Sequence, residues 1–215
     1  MKIIIPARQG SKGLPGKNRI LFKHTADIIP KNLYSEVYVT SDDPEILTLA
    51  SEYGFKLVAR PYHLATDTSN IRDVLYHVIS EYNIHGSEEI IMLYLTYPER
   101  TWDDVLEARR FFFKYSANGI TCSMLCKKQI DVSPYLMMHE KGVNGLFGSQ
   151  VISHDLYRRQ DYPTCFEISH YIAIFIASSI YNLNNNLYTD STIFWPISNV
   201  IDVDLKKDLN KFNGK

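Results

Sequence analysis

Cysteine is scarce in this chain: three residues in 215, at positions 122, 126 and 165. An odd, sparse set cannot be the framework of a disulfide-stapled fold, and it reads as a reduced, cytoplasmic protein. Cys122 and Cys126 lie four apart in ITCSMLC, which on a strand puts both on one face. Core packing accounts for them, because a metal pair would need histidine partners that the neighbourhood lacks. A surplus of one charge is also missing. Lys and Arg number 23 against 24 Asp and Glu, a net charge of −1. This excludes a general electrostatic grip on nucleic acid, so any anion must be met by a local cluster. Long apolar runs are absent too. The longest, YIAIFIASSIY at 171–181, is about half of a membrane span, and the run at 3–5 is far too short for a signal peptide. There is no internal repeat and no low-complexity tract.

What is present is a chain long enough to bury a sizeable core as a single domain over 1–215. Short apolar runs alternate with helical patterns, which predicts an α/β fold with a largely parallel sheet. KIII opens the chain as a strand, and EVYVT (36–40) is the second. In SDDPEI, Ser41 or Asp42 caps a helix whose first turn takes Pro44, with Asp43 and Glu45 at its positive end. Gly54 stops that helix and FKLV follows as a strand. Ile71, Val74, Leu75, Val78 and Ile79 form a stripe at helical spacing, EEIIMLYLT a continuous buried strand, and TWDDVLEARRFFFKY a capped helix with Val105, Ala108 and Phe112 on one face. Strands at about 172–177 and 194–201 and a charged helix end the chain. Between them, about 127–169 breaks the rhythm and reads as an insertion.

The densest chemistry lies just after the first strand, in ARQGSKGLPGKN (7–18). Three glycines leave the backbone bare while Arg8, Lys12 and Lys17 bring positive charge, a composition suited to a phosphate chain. It is not a Walker A loop, since five residues separate Gly10 from Gly16-Lys17 and Asn18 follows. The dinucleotide fingerprint also fails, because Gly10 and Gly13 are three apart. A second feature is Asp202 and Asp204 in NVIDVDL. On a strand end the two carboxylates point the same way, as a hard cation such as Mg²⁺ requires. Asp42 and Asp43 form a rival acidic pair, adequately explained by helix capping.

Taken together, these segments resemble the acylneuraminate cytidylyltransferase family, which includes the CMP-sialic acid and CMP-Kdo synthetases. ARQGSKGLPGKN resembles its opening signature A-R-x-x-S-K-G-x-P-x-K-N. SDDPEI, RPYHLATDTS (60–69), TYPERT (96–101), RRQD (158–161) and DVDLKKDL (202–209) then resemble its later motifs in order. The resemblance implies a nucleotide-diphospho-sugar transferase-like fold: a three-layer, mostly parallel twisted sheet with helices on both faces. It implies that 127–169 is a dimerisation and acceptor-site segment, and that the protein is a cytoplasmic homodimer. It implies transfer of CMP from CTP to a small acidic acceptor for surface polysaccharide, with Mg²⁺ as cofactor and loss of pyrophosphate.

Residue by residue, the family motif assigns Arg8 and Lys17 to the phosphates. Ala7, Gly10, Ser11 and the loop amides complete the cradle, and Asn18 and Arg60 face the nucleotide. Asp202 and Asp204 would hold the metal and share the catalytic role with Lys17 and Arg8. The acceptor positions fall on Tyr94, Arg159, Gln160 and His170. On this acceptor side the chain departs from the family. Tyr94 stands for a glutamine, and Leu95 and Tyr97 replace a proline and a serine. Glu167, Ser169 and His170 occupy a stretch where the family carries Asn-Gly, and Leu136 falls where sialic acid enzymes lend a lysine across the dimer. The implied outcome is retention of CTP and an acceptor other than sialic acid. For Tyr94, Tyr97 and His170 a packing role stands equally beside an acceptor role. A catalytically silent nucleotide-binding partner of a glycan pathway is the second functional reading.

Overall fold

A computed structural model describes residues 1–141, 147–198 and 200–214. Strand β1 (Lys2–Pro6) is the middle of the design. Ile3 and Ile5 face one side of the sheet and Ile4 the other, and all three are fully buried. That two-residue alternation, with both faces apolar, requires cover on both sides.

The chain supplies it by crossing over repeatedly. Helix α1 (Lys17–Ala26) leads to strand β2 (Val37–Ser41), and helix α2 (Pro44–Glu52) to strand β3 (Lys56–Ala59). Helix α3 (Ile71–Glu81) returns to strand β4 (Glu89–Met92), on the other flank of β1. Helix α4 (Trp102–Ser116), strand β5 (Ser123–Gln129), strand β8 (Phe166–Ile176), strand β9 (Ile193–Pro196) and helix α5 (Lys206–Asn213) complete the main body. A separate two-stranded sheet, β6 (Met138–Lys141) with β7 (Phe147–Gln150), lies between β5 and β8 in sequence. The main sheet has seven strands in the order β3-β2-β1-β4-β8-β5-β9. Four of its six pairings are parallel; β8 runs antiparallel to both neighbours.

Two cores follow from the alternation. Leu21 and Phe22 of α1, Ile46 of α2 and Val105, Ala108 and Phe112 of α4 pack with Ile3, Ile5, Val37 and Val39. Leu75, Val78 and Ile79 of α3 pack with Ile4, Tyr38 and Val58 on the opposite face. This is the three-layer α/β arrangement expected from the sequence. The cap of α4 is as expected: the Thr101 hydroxyl accepts from Asp104 N–H at 3.2 Å and the Asp104 carboxylate accepts from Thr101 N–H at 2.8 Å.

Several boundaries differ from expectation. The N-cap of α2 is Asp43, whose carboxylate accepts from Glu45 N–H at 3.0 Å, while Ser41 and Asp42 do other work. The strand expected through Thr96 ends at Met92, where the chain turns into the cleft. Strand β8 starts at Phe166 rather than 172; Phe166 and Ile168 are exposed, so this first half lacks the buried apolar signature of its second half. Strand β9 stops at Pro196, which has no N–H to carry the ladder on. Cys122 and Cys126 do not share a strand face, because β5 begins at Ser123 and its register shifts between Met124 and Cys126. Cys126 is the buried one and its thiol donates to Ile172 O.

Candidate active site

In an open α/β sheet, ligands sit where neighbouring crossovers diverge, beyond the carboxyl ends of the strands. Here that point lies between β1 and β4, since the chain leaves β1 toward β2 and returns to β4 on its other side. A cleft of roughly 440 Å³ opens there. Its lining comes from the loop after β1 (Arg8, Ser11, Lys12, Lys17, Asn18), the segment after β3 (Arg60, Asp67), the turn after β4 (Tyr94, Thr96) and the C-terminal Asp204.

The loop is held by backbone contacts that its own sequence dictates. Gly16 has φ 69°, a left-handed conformation that favours glycine, and it caps α1 immediately before Lys17. Asn18 donates its side-chain amide to Arg8 O at 2.8 Å, closing the loop on itself. Asp42 accepts from Gln9 N–H at 2.8 Å and the Ser41 hydroxyl donates to Ala7 O at 2.6 Å, so the end of β2 fixes the start of the loop. Ala7 is fully buried and contributes backbone alone. Gly10 lies on the other side of the loop, in a smaller hollow shared with Arg8, Ser11, Lys17 and Arg19.

Each loop cation meets a carboxylate. Lys17 Nζ is 2.6 Å from Asp204 Oδ1. Arg8 and Lys12 converge on Asp67, at 2.8 and 2.5 Å. Arg60 is buried, donating to Thr40 O at 2.9 Å, and burial pulls its guanidinium down to about 10. Tyr94 reaches the cleft beside it; burial pushes its phenol up to about 12, with Arg60 opposing and Asp202 reinforcing the shift.

The acidic pair is placed differently from the expected strand end. Residues 201–204 form no strand; they are extended chain anchored by Val203, fully buried, whose N–H donates to Thr96 O at 2.8 Å. Asp204 is exposed, whereas Asp202 is half-buried beside Thr96 and Tyr97 with its Oδ1 lacking a hydrogen-bond partner. Burial raises the Asp202 pKa, hydrogen bonds from Tyr97 and Thr96 oppose that, and the nearby Asp204 charge adds to the rise. The two carboxylates are therefore neighbours with different exposures.

An orphaned buried carboxylate oxygen next to a second, accessible carboxylate fits a hard cation completed by phosphate oxygens and water. Among the described residues no group of three or more His, Cys, Asp or Glu is placed to hold a metal ion by itself. The rival pair is committed elsewhere: Asp43 takes a two-pronged bond from Arg19 and Asp42 braces Gln9.

Of the acceptor residues, Tyr94 lines the cleft and His170 packs edge-on against its ring at 5.8 Å. His170 also faces Asn186 O at 3.1 Å, and burial lowers its pKa. Tyr97 is in the core, its hydroxyl 3.2 Å from Ser169 Oγ. Arg159 and Gln160 sit in the short helical turn Arg159–Asp161, exposed and outside the cleft lining.

Three contributors escaped the sequence reading. Asp67, in ATDTS, reads from the sequence only as a turn former. Gly13 packs so closely under the 204–205 backbone that an added Cβ would lie 2.4 Å from Asp204 O. Arg100, 2% exposed, donates to Tyr94 O and Tyr171 O at 2.7 Å each and to Thr25 Oγ1 at 3.1 Å, pinning the cleft turn between α1 and β8. Its position inside TYPERT was the signal available.

The mostly parallel sheet with helices on both faces is a nucleotide-diphospho-sugar transferase-like fold. A solved structure of CMP:2-keto-3-deoxy-manno-octonic acid synthetase complexed with CTP superposes with a TM-score of 0.67 at 18% identity, covering 99% of this chain and 96% of that one. Residues 2–95 match the family model described as cytidylyltransferase. An N-acylneuraminate cytidylyltransferase of Streptococcus agalactiae serotype III is 26% identical over 218 residues, covering 95% of this chain and 50% of the relative. A pseudaminic acid cytidylyltransferase of Campylobacter jejuni is 31% identical over 123 residues, 52% of each. Residues 2–95 of the chain are thus similar to cytidylyltransferases. The chain spans about half the length of the curated relatives it matches.

Proposed function

We propose that the protein transfers CMP from CTP to a small acidic sugar, of the nonulosonic or octulosonic acid class, releasing pyrophosphate in a surface-glycan pathway. One observation carries this reading: Arg8, Lys12, Lys17 and Asn18 share a single cleft with Asp204, and with Asp202 beside it, at the sheet's switch point. The acceptor oxygen bonds to the α-phosphorus, the bridge to the β-phosphate breaks, and the hydroxyl proton is released to solvent. Negative charge then concentrates on the α-phosphate and the leaving pyrophosphate, where fixed positive charge and positioning are worth most.

Lys17 exchanges its Asp204 partner for a phosphate oxygen. Asp202, and Asp204 once parted from Lys17, are the residues that would hold Mg²⁺, which would supply charge neutralisation there. Arg60, shielded from solvent, orients the nucleotide, and Tyr94 with His170 forms the acceptor wall. Exposed apolar side chains at Val132, Leu136, Met137 and Met138 support assembly as a homodimer, and three free cysteines suit a reducing cytoplasm. No helix among the described residues is long and apolar enough to cross a membrane.

The test is pyrophosphate release from CTP and Mg²⁺ against sialic, legionaminic and pseudaminic acids and Kdo. Release with one of them establishes the reaction and the acceptor. CTP binding with no release from any acceptor favours the silent partner, and absence of CTP binding removes the proposal. Light scattering of the purified chain reads the dimer.

A further inference from the structure

Asp67 holds two cations of the phosphate loop and belongs to neither the acidic pair nor any helix cap. Its carboxylate reaches Arg8 with one oxygen and Lys12 with the other, across the mouth of the cleft. Those two hydrogen bonds, Lys12 first, hold it below the usual carboxylate range. Isolated exposed ion pairs contribute little, but this carboxylate is presented by a preformed turn. The Ser69 hydroxyl donates to His63 O at 3.0 Å, accepts from Thr66 N–H at 3.1 Å and lies 2.8 Å from Thr66 Oγ1. Ser69 N–H donates back to Thr66 O. None of these bonds uses the Asp67 side chain, so the turn aims the carboxylate without depending on it.

We propose that Asp67 determines how much charge a ligand must carry to enter the cleft. It is a built-in anion on Arg8 and Lys12, displaced by a triphosphate and poorly displaced by a monophosphate. This rests on the reading of the cleft as a nucleotide site, and it adds a discriminating residue. A triphosphate brings enough negative charge to take both cations from one carboxylate. A CMP-bearing product, with a single phosphate, leaves Asp67 to recapture at least one of them, which favours its departure.

The experiment is calorimetric titration in Mg²⁺-free buffer with cytidine, CMP, CTP and inorganic triphosphate, on the wild type and on Asp67→Asn and Asp67→Glu. Removing the competing charge should tighten CTP and inorganic triphosphate about two- to tenfold, the range two weak ion pairs allow. CMP should gain less, cytidine should not change, and Asp67→Glu should return toward wild type. Unchanged or weakened triphosphate binding in Asp67→Asn overturns the proposal, as does an equal gain for cytidine, which would report a reshaped wall. Wild-type binding of inorganic triphosphate without preference for CTP would defeat the cytidylyl reading while leaving the role of Asp67 standing. Absence of polyphosphate binding in every variant defeats both.

Discussion

The loop after β1 and the chain between β5 and β8 are the two regions the sequence marks as functional, and they are built in opposite ways. Residues 7–18 are braced from three sides: by Ser41 and Asp42 at the end of β2, by Asp67, and by the 203–205 backbone over Gly13. Residues 130–165 carry exposed apolar and charged side chains, a two-stranded sheet of their own, and Arg159 and Gln160 away from the cleft. On the proposed function this fits the ligands: a phosphate chain is the same in every nucleotide, and its cradle would be held by rigid contacts within one chain. Acceptors differ in shape, and the region the proposal assigns to them carries exposed side chains such as Leu136, Met137 and Met138.

Five measurements break or sharpen that contrast, in descending order of effect. Lys17→Ala should lower CMP transfer by about 100- to 1000-fold with circular dichroism unchanged, as loss of one charge-stabilising donor does; normal pyrophosphate release would remove Lys17 from the mechanism. Arg100→Met should cost about 2–4 kcal/mol in urea unfolding, because it leaves the Tyr94 and Tyr171 carbonyls without their donor. Gly13→Ala should weaken CTP binding by roughly tenfold or more, since its Cβ cannot coexist with Asp204 O at 2.4 Å. An unchanged affinity would show that the loop and the C-terminal segment move independently.

Asp43→Asn gives a pH signature. Burial pushes the Asp43 carboxyl up, but the Arg19 hydrogen bonds and the Glu45 N–H outweigh it, and its pKa is held below 3.8. A depressed carboxyl stabilises the fold above its unfolded value and loses that contribution as pH falls through the folded one. The stability gap between wild type and variant, about 1 kcal/mol, should be full near pH 6 (roughly two units above the ordinary carboxylate range). It should close as the solution becomes more acidic than that range. A gap that persists in acid would assign the effect to packing. Finally, Arg159→Ala should leave stability within about 0.5 kcal/mol and CTP affinity unchanged, any effect being confined to the KM of the acceptor.

Much of the braced region was legible because its constraints are local. Gly16, the Thr101–Asp104 cap and the apolar stripe of α3 announce themselves in a few residues. The strand limits at Met92 and Phe166 were not legible, since they depend on where a neighbouring strand stops offering partners. Asp67 and Arg100 were invisible for a related reason. An acid in a turn and an arginine after a proline turn look like solvated surface until the fold brings Arg8 and Lys12 to one and the oxygens of Thr25 and Tyr171 to the other. The split between a half-buried Asp202 and an exposed Asp204 likewise arises from Thr96 and Tyr97, a hundred positions away in sequence.

The near contact of Gly13 with the backbone of Asp204 has a temporal consequence. Gly13 and Asp204 lie 191 positions apart, so their meeting is a closure of high sequence separation. Most of the sheet can pair before the 203–205 segment has emerged, and the loop then lacks its cover and Lys17 its carboxylate. Cover of the loop is thereby tied to synthesis having passed residue 205: a nascent chain that has folded its first five strands holds Asp67 against Arg8 and Lys12 but leaves Lys17 without Asp204.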